Sequence, residues 1–474
     1  MSSVEHRVPA STGINASTGE SLPSATIEQI AAIACGEHLA AGEAEELRRW
    51  SSLLREDHLD TRFQIDPRNL AETGWGVIFA EGRQDELREA LAPLLALRRS
   101  QAGSSHENRY RELTYHREES KPRFLARHGA GPGPVDPDLL PYYLLIAASP
   151  GEISFRFQYQ LDVQYAVGRL CFATTEEYAR YAESVVAAER GEFTPSRKVS
   201  FFGFAHPDDQ ATELSLRNLV EPLSSRISRD RPDWRIENVL GPEATKAALA
   251  ERLGGSRTPA LLFTAGHGLL FNPSDPRQAG HQGALLCQDW PGPKAWRGKV
   301  PQEHYLAGDD IPDSASPAGL IAFLFACYGA GTPLYDSFVM EGEQRQVAAE
   351  SFVARLPQRL LGHPGGGALA VVGHVDRVWT FSFDWPQSGS QLQVFESAIG
   401  RLLEGYPVGA AMEYFNQRYA ELSTDLREER EEVSWGAPPD CFSLSDLWTA
   451  ANDARSYVVL GDPAVRLATD ATGD

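Results

Sequence analysis

Short, almost uninterrupted apolar runs alternating with amphipathic helical stretches set the main limit on how this chain can fold. "KVSFFGFA" (198–205), "ALLFTAGHG" (260–268), "LIAFLFACYG" (320–329), "ALAVVGHV" (368–375) and "YVVLGDPAVRL" (457–467) each begin with an apolar strand. None shows the in–out alternation of a strand with one wet face, so each reads as buried on both sides, as in a parallel sheet covered by helices. Between them, "ATELSLRNLVEPLSSRIS" (211–228) carries Leu216, Leu219, Val220, Leu223 and Ile227 on one helical face. "LQVFESAIGRLLEG" (392–405) does the same with Val394, Phe395, Ala398, Ile399, Leu402 and Leu403. "RIENVLG" (235–241) is a further strand, and helices are expected over 242–253 and about 346–361.

A weaker copy of the pattern precedes this. "TGWGVIFAEG" (73–82), "YRELTYH" (110–116) and "PYYLLIAASP" (141–150) read as strands, with a helix over "DELREALAPLLALRR" (85–99). The expected fold class is therefore α/β, a doubly wound, mainly parallel sheet flanked by helices and preceded by a smaller α/β subdomain open to reading as an old duplication. At 474 residues the chain exceeds one ordinary core. The boundaries drawn are a disordered Ser/Thr/Gly-rich tail (1–25), an N-terminal structural or regulatory subdomain (26–190), and a main domain (195–470).

Composition removes several classes of function. Forty-four basic against 65 acidic residues, a net charge of −21, argues against a general nucleic-acid or anionic-membrane binder. No stretch reaches the roughly 18 apolar residues of a membrane span. The five cysteines (35, 171, 287, 327, 441) are scattered and odd in number, without a CxxC pair, so neither a disulfide framework nor a structural zinc site is expected. Without a signal-like apolar core at the N-terminus, the expected location is the cytoplasm. His206, His281, His304, His363 and His374 form no HExxH or HxH pattern, and no metal is expected.

The chemistry-bearing residues sit at matching strand ends. "ALLFTAGHG" and "LIAFLFACYG" share one design: an apolar strand, a small residue, one reactive side chain, then a glycine or near-glycine turn. On adjacent parallel strands His267 and Cys327 emerge at one carboxyl edge, where open α/β sheets place their sites. A thiol needs an imidazole to manage its proton, and the amides of Gly268 and Cys327 are candidate oxyanion donors.

His-Gly at one strand end and Ala-Cys at a later one, in this order, resembles the caspase-like (clan CD) cysteine peptidases of the gingipain and CHAT-domain type. "YVVLGDPAVRL" is similar to their closing strand, and "YYLLIAASPGEI" (142–153) to a strand of the gingipain non-catalytic subdomain, with Ala-Ser in place of Gly-Asp. "FACYGAG" differs from the caspase motif itself. The resemblance implies a bacterial thiol endopeptidase with His267 and Cys327 as its dyad, Gly268 as oxyanion donor, a protein or peptide substrate, no cofactor, and restraint by an activating or regulatory protein or signal. It also implies that the loop "HPDDQATE" (206–213) lines the pocket for the residue before the cut. Asp208 and Asp209 then favour a basic residue there, with the helix cap of 211–228 as the equal alternative. His374 and Trp379 are candidate groove residues, and core packing explains Trp379 equally well. The competing reading is a caspase-fold scaffold or sensor that cuts nothing; a weaker third is an amide-hydrolysing or acyl-transferring enzyme acting on a small molecule.

Overall fold

The computed structural model describes residues 11–22, 26–36, 65–104, 106, 109–192, 195–338, 346–385 and 389–468. A helix runs from Ile27 to Gly36.

Ten strands make the central sheet. In chain order they are β2 (Trp75–Ala80), β3 (Tyr110–Tyr115), β4 (Tyr143–Ala147), β5 (Ala166–Leu170), β6 (Lys198–Gly203), β7 (Arg235–Leu240), β8 (Leu261–Ala265), β12 (Ile321–Phe325), β15 (Ala370–His374) and β18 (Tyr457–Gly461). Their spatial order is β3-β2-β4-β5-β18-β15-β12-β8-β6-β7. A four-stranded sheet joins β1 (Gly13–Asn15), β9 (Gly268–Leu270), β10 (Leu285–Leu286) and β11 (Tyr305–Leu306). Two short ribbons, β13 (Gly331–Thr332) with β14 (Phe352–Val353) and β16 (Asp384–Trp385) with β17 (Gly389–Ser390), complete the strands among the described residues.

The architecture is the expected mainly parallel α/β sheet. Nine of the strands were legible in the sequence; β5, "AVGRL", was not, because a buried arginine and a glycine interrupt it. Arg169 is nonetheless satisfied, donating to Gln158 Oε1 and to the carbonyls of Ala148 and Ile153. Strands β4, β5, β8, β12, β15 and β18 are buried at every position, as two-sided cover requires.

Every pair in this sheet is parallel except β15–β18. The halves on either side of that pair therefore run in opposite directions, and their carboxyl edges face opposite ways. No break separates the two stretches drawn as subdomains, because β5 pairs directly with β18. The Gly-Asp-Pro element fastens them further: buried Asp462 accepts from Trp75 Nε1 at 2.9 Å and from Arg98 Nε at 2.7 Å.

The tail requires a correction. Residues 11–22 are not disordered. They form β1 and a turn closed by Asn15 N donating to Glu20 O and Leu22 N donating to Gly13 O. Ile14 and Leu22 are buried, each side chain contributing about 1.5–3 kcal/mol. That burial outweighs what polar composition alone suggests.

Candidate active site

β8 and β12 are hydrogen-bonded neighbours, with Ala265 paired to Phe325 and Gly266 N donating to Phe325 O at 3.1 Å. His267 and Cys327 each follow two residues beyond that pair, so the register sets them level at one edge. The close approach depends on Gly268, where a Cβ would stand 1.8 Å from the Cys327 carbonyl oxygen. Beyond the thiol the chain reverses at Tyr328, whose φ of +59° lies in the left-handed region unfavourable to a bulky side chain. Such backbone strain is typical of functional sites. Tyr328 N donates to Asp376 O at 2.9 Å and Ala330 N to His374 O at 3.0 Å, so the turn is tied to the loop after β15.

Asp209 organises the imidazole. Its Oδ2 accepts a very short hydrogen bond from His267 Nε2, and both groups are buried. Burial by itself would raise the Asp209 carboxyl, but the charge and hydrogen bond of His267 overcome it and hold the carboxyl at about 2. Conversely, burial would lower His267, yet Asp209 raises it above its ordinary value. With Nε2 committed to Asp209, Nδ1 is the nitrogen left for chemistry, and it has no hydrogen-bond partner.

Cys327 Sγ accepts from Val378 N at 3.2 Å and lies 3.4 Å from Thr12 Oγ1 and 3.6 Å from Ser11 Oγ. Burial pushes the thiol up; the contacts with Thr12, Val378 and Ser11 pull it back only in part. The cleft is filled by the chain's own N-terminal segment. Thr12 N donates to Val378 O at 3.1 Å, Gly268 N donates to Thr12 O at 3.2 Å, and Ser11 bridges Trp379 in antiparallel fashion.

His206 stacks on His267, ring centroids 5.7 Å apart, and its Nε2 hydrogen-bonds Cys287 O. Burial, aided by the neighbouring His267, lowers His206 to about 4, so it packs against His267 as a neutral ring. The ligating atoms of His206, Asp209 and His267 lie within 4.8 Å of one another, the only such set among the described residues. A cation there would have to displace the bond that orients His267.

The remaining predicted positions divide. Asp209 does not present its charge to a substrate, because that charge is committed to His267; it also caps the helix Gln210–Leu214 by accepting from Ala211 N. Asp208 is solvent-exposed, at φ +60°, and pairs with Lys294. His374 turns away from the cleft, its nitrogens bonded to the carbonyl oxygens of Asp376 and Asp453. Trp379 packs its ring on Phe338, 4.8 Å between centroids, and offers only backbone to the cleft. Sequence reasoning missed the Asp209–His267 pair, Val378, and the segment 11–13. The first had a usable signal: a buried imidazole at a strand end needs a carboxylate, and Asp209 follows the neighbouring strand.

The model of Peptidase family C25 matches residues 115–468. Among solved structures, the chain resembles the Arg-specific cysteine proteinase gingipain R, with 12% identity and a TM-score of 0.48 over 83% of this chain and 78% of that one. It also resembles a complex of Porphyromonas gingivalis RgpB pro- and mature domains, with 11% identity and a TM-score of 0.43 over 83% and 80%. A structure described only as a protease gives 11% identity and a TM-score of 0.45 over 84% and 80%. No curated protein matches the sequence.

Proposed function

The chain belongs to peptidase family C25, the cysteine-peptidase class its strand-end motifs resemble, and on that premise we propose that it is an endopeptidase working through Cys327, His267 and Asp209. Cys327 is the nucleophile. His267 Nδ1 takes the thiol proton and returns it to the leaving amine, Asp209 fixes the ring through Nε2, and the Gly268 N–H stabilises the oxyanion. Water then hydrolyses the acyl-thioester. The observation that carries this reading is the buried Asp209–His267 pair beside a thiol on the next parallel strand, with one residue, Thr12, meeting the Gly268 N–H through its carbonyl and the sulfur through its hydroxyl.

Substrates are proteins or peptides bound in extended form along Val378–Trp379, and no cofactor takes part. Five free cysteines suit a reducing compartment, consistent with the cytoplasm. No helix among the described residues is long and apolar enough to cross a membrane.

A peptidyl electrophile tests the reading. Labelling at Cys327 that disappears in His267→Ala, with cleavage of a peptide library, is the expected result. The scaffold reading gains from one observation, the filled cleft. A thiol that never labels, even in a chain beginning at Gly13, with no library cleavage, would establish it.

A further inference from the structure

The geometry points to the chain's own Thr12–Gly13 bond as the first bond this site cuts, and to a small residue followed by glycine as the class of bond it accepts. This rests on the peptidase reading above. The segment 11–13 lies in the cleft as a substrate does. Its Thr12 carbonyl receives the Gly268 N–H at 3.2 Å, the donor placed for an oxyanion, while Thr12 N donates to Val378 O at 3.1 Å and Ser11 pairs antiparallel with Trp379. Antiparallel backbone pairing of this kind is how an extended peptide adds to an exposed edge. The Thr12 backbone also lies against His267.

Side-chain size follows from the same contacts. Thr12 is fully buried with Oγ1 3.4 Å from the sulfur. At Gly13 a Cβ would stand 3.3 Å from Cys327 Sγ and 2.3 Å from Leu22 Cδ1, crowding the sulfur on the leaving-group side. The two sides of the bond are held unequally. From Gly13 onward the chain is built into the sheet: β1 pairs with β9 from Gly13↔Gly268 to Asn15↔Leu270, and Ile14 and Ala16 are fully buried. A cut before Gly13 therefore frees residues 1–12 and leaves the new N-terminus in place, opening the half of the cleft along Val378–Trp379.

The step balances without a co-reactant other than water. The thiol proton passes to His267 Nδ1, sulfur adds to the Thr12 carbonyl carbon, and the oxygen charge rests on the Gly268 N–H. Collapse breaks the Thr12–Gly13 C–N bond, the Gly13 amine leaving with the proton from His267. Water then cleaves the thioester to a Thr12 carboxylate and restores the thiol.

The test incubates the purified full chain and follows intact mass and N-terminal sequence, beside Cys327→Ala and a chain beginning at Gly13. Two fluorogenic reporters accompany it, acetyl-Pro-Ala-Ser-Thr-coumarylamide, which copies residues 9–12, and the same peptide ending in Arg. Expected are a new N-terminus at Gly13, first-order kinetics independent of protein concentration, no conversion of Cys327→Ala, and at least tenfold preference for the Thr reporter by the chain beginning at Gly13. Cleavage of either reporter by a chain whose N-terminus stays intact, is cut elsewhere, or is cut only between molecules overturns the inference and leaves the peptidase standing. So does a preference for Arg. A chain beginning at Gly13 that neither cleaves a reporter nor labels with a peptidyl electrophile overturns the peptidase reading, and this inference with it.

Discussion

Replacing Asp209 with Asn isolates the charge that holds His267. Asn keeps the size of the side chain and its capacity to cap the helix at Ala211 N, so the change is electrostatic rather than a lost cap. The carboxyl stands at about 2 against an ordinary 3.8, which corresponds to about 2.5 kcal/mol in favour of its charged form, net of burial. Asp209 is almost wholly buried, so solvent screening takes little from this figure. If the transition state draws on that coupling, kcat/KM falls about 70-fold, and further if the ring adopts the wrong tautomer. The assay is cleavage of a fluorogenic peptide between pH 5 and 10. Asp209 raises the His267 pKa; its loss keeps the ring neutral, and so able to take the thiol proton, to lower pH, and the acidic limb moves to lower pH. Stability gives a second readout. The depressed carboxyl contributes stability present above pH 3.8 and lost as pH falls towards 2, so Asp209→Asn flattens acid unfolding in that window. An unchanged kcat/KM together with an unmoved acidic limb would refute the role given to this carboxylate.

Three other outcomes follow from particular contacts. Asp462→Ala strands the fully buried Arg98, with only Glu189 and Gln101 left to meet it, and lowers stability by about 3–5 kcal/mol in chemical denaturation; a loss under 1 kcal/mol contradicts the fastening role. Asp208→Gly relieves a left-handed backbone at the expense of an exposed ion pair with Lys294, so stability rises by up to about 1 kcal/mol. A peptide library then shows the same preference before the cut as the unaltered chain, and a lost taste for basic residues would restore Asp208 to the pocket. In the uncut chain, burial holds the Cys327 thiol above its ordinary value. Alkylation mapped by mass spectrometry between pH 7 and 10 should therefore be slow at pH 7.5 and keep rising past pH 9; a plateau below pH 8 contradicts this.

The sheet was legible because burial on both faces leaves a local trace. A strand such as "LIAFLF" must be apolar at every position; nine of ten strands were found, seven of them as such runs and the two edge strands, "YRELTY" and "RIENVL", from their place in the alternation. β5 was hidden because its arginine is satisfied by partners outside the strand, Gln158 and the carbonyls of Ala148 and Ile153, which only the fold brings to it. The same distinction separates the site residues. His267 and Cys327 could be named because each terminates such a run. Asp209 was noticed for its charge and as a helix cap, which it is, but not as the partner of His267, since adjacent acids in a loop carry no record of which group they face. Residues 11–22 were misread: Ser, Thr and Gly look disordered unless the edge they pair with is known, and that edge, β9, lies some 250 residues away.

What the sequence alone determined is thus the class of fold and the apolar strands that end in His267 and Cys327, all consequences of hydrophobic burial acting over a few residues. The tertiary structure decided the reversal of direction at β15–β18, the pairing of Asp209 with His267, and the filling of the cleft by residues 11–13. Those depend on hydrogen bonds and charge pairs between distant segments, whose energies are set by distance and burial in three dimensions and leave no periodic mark along the chain.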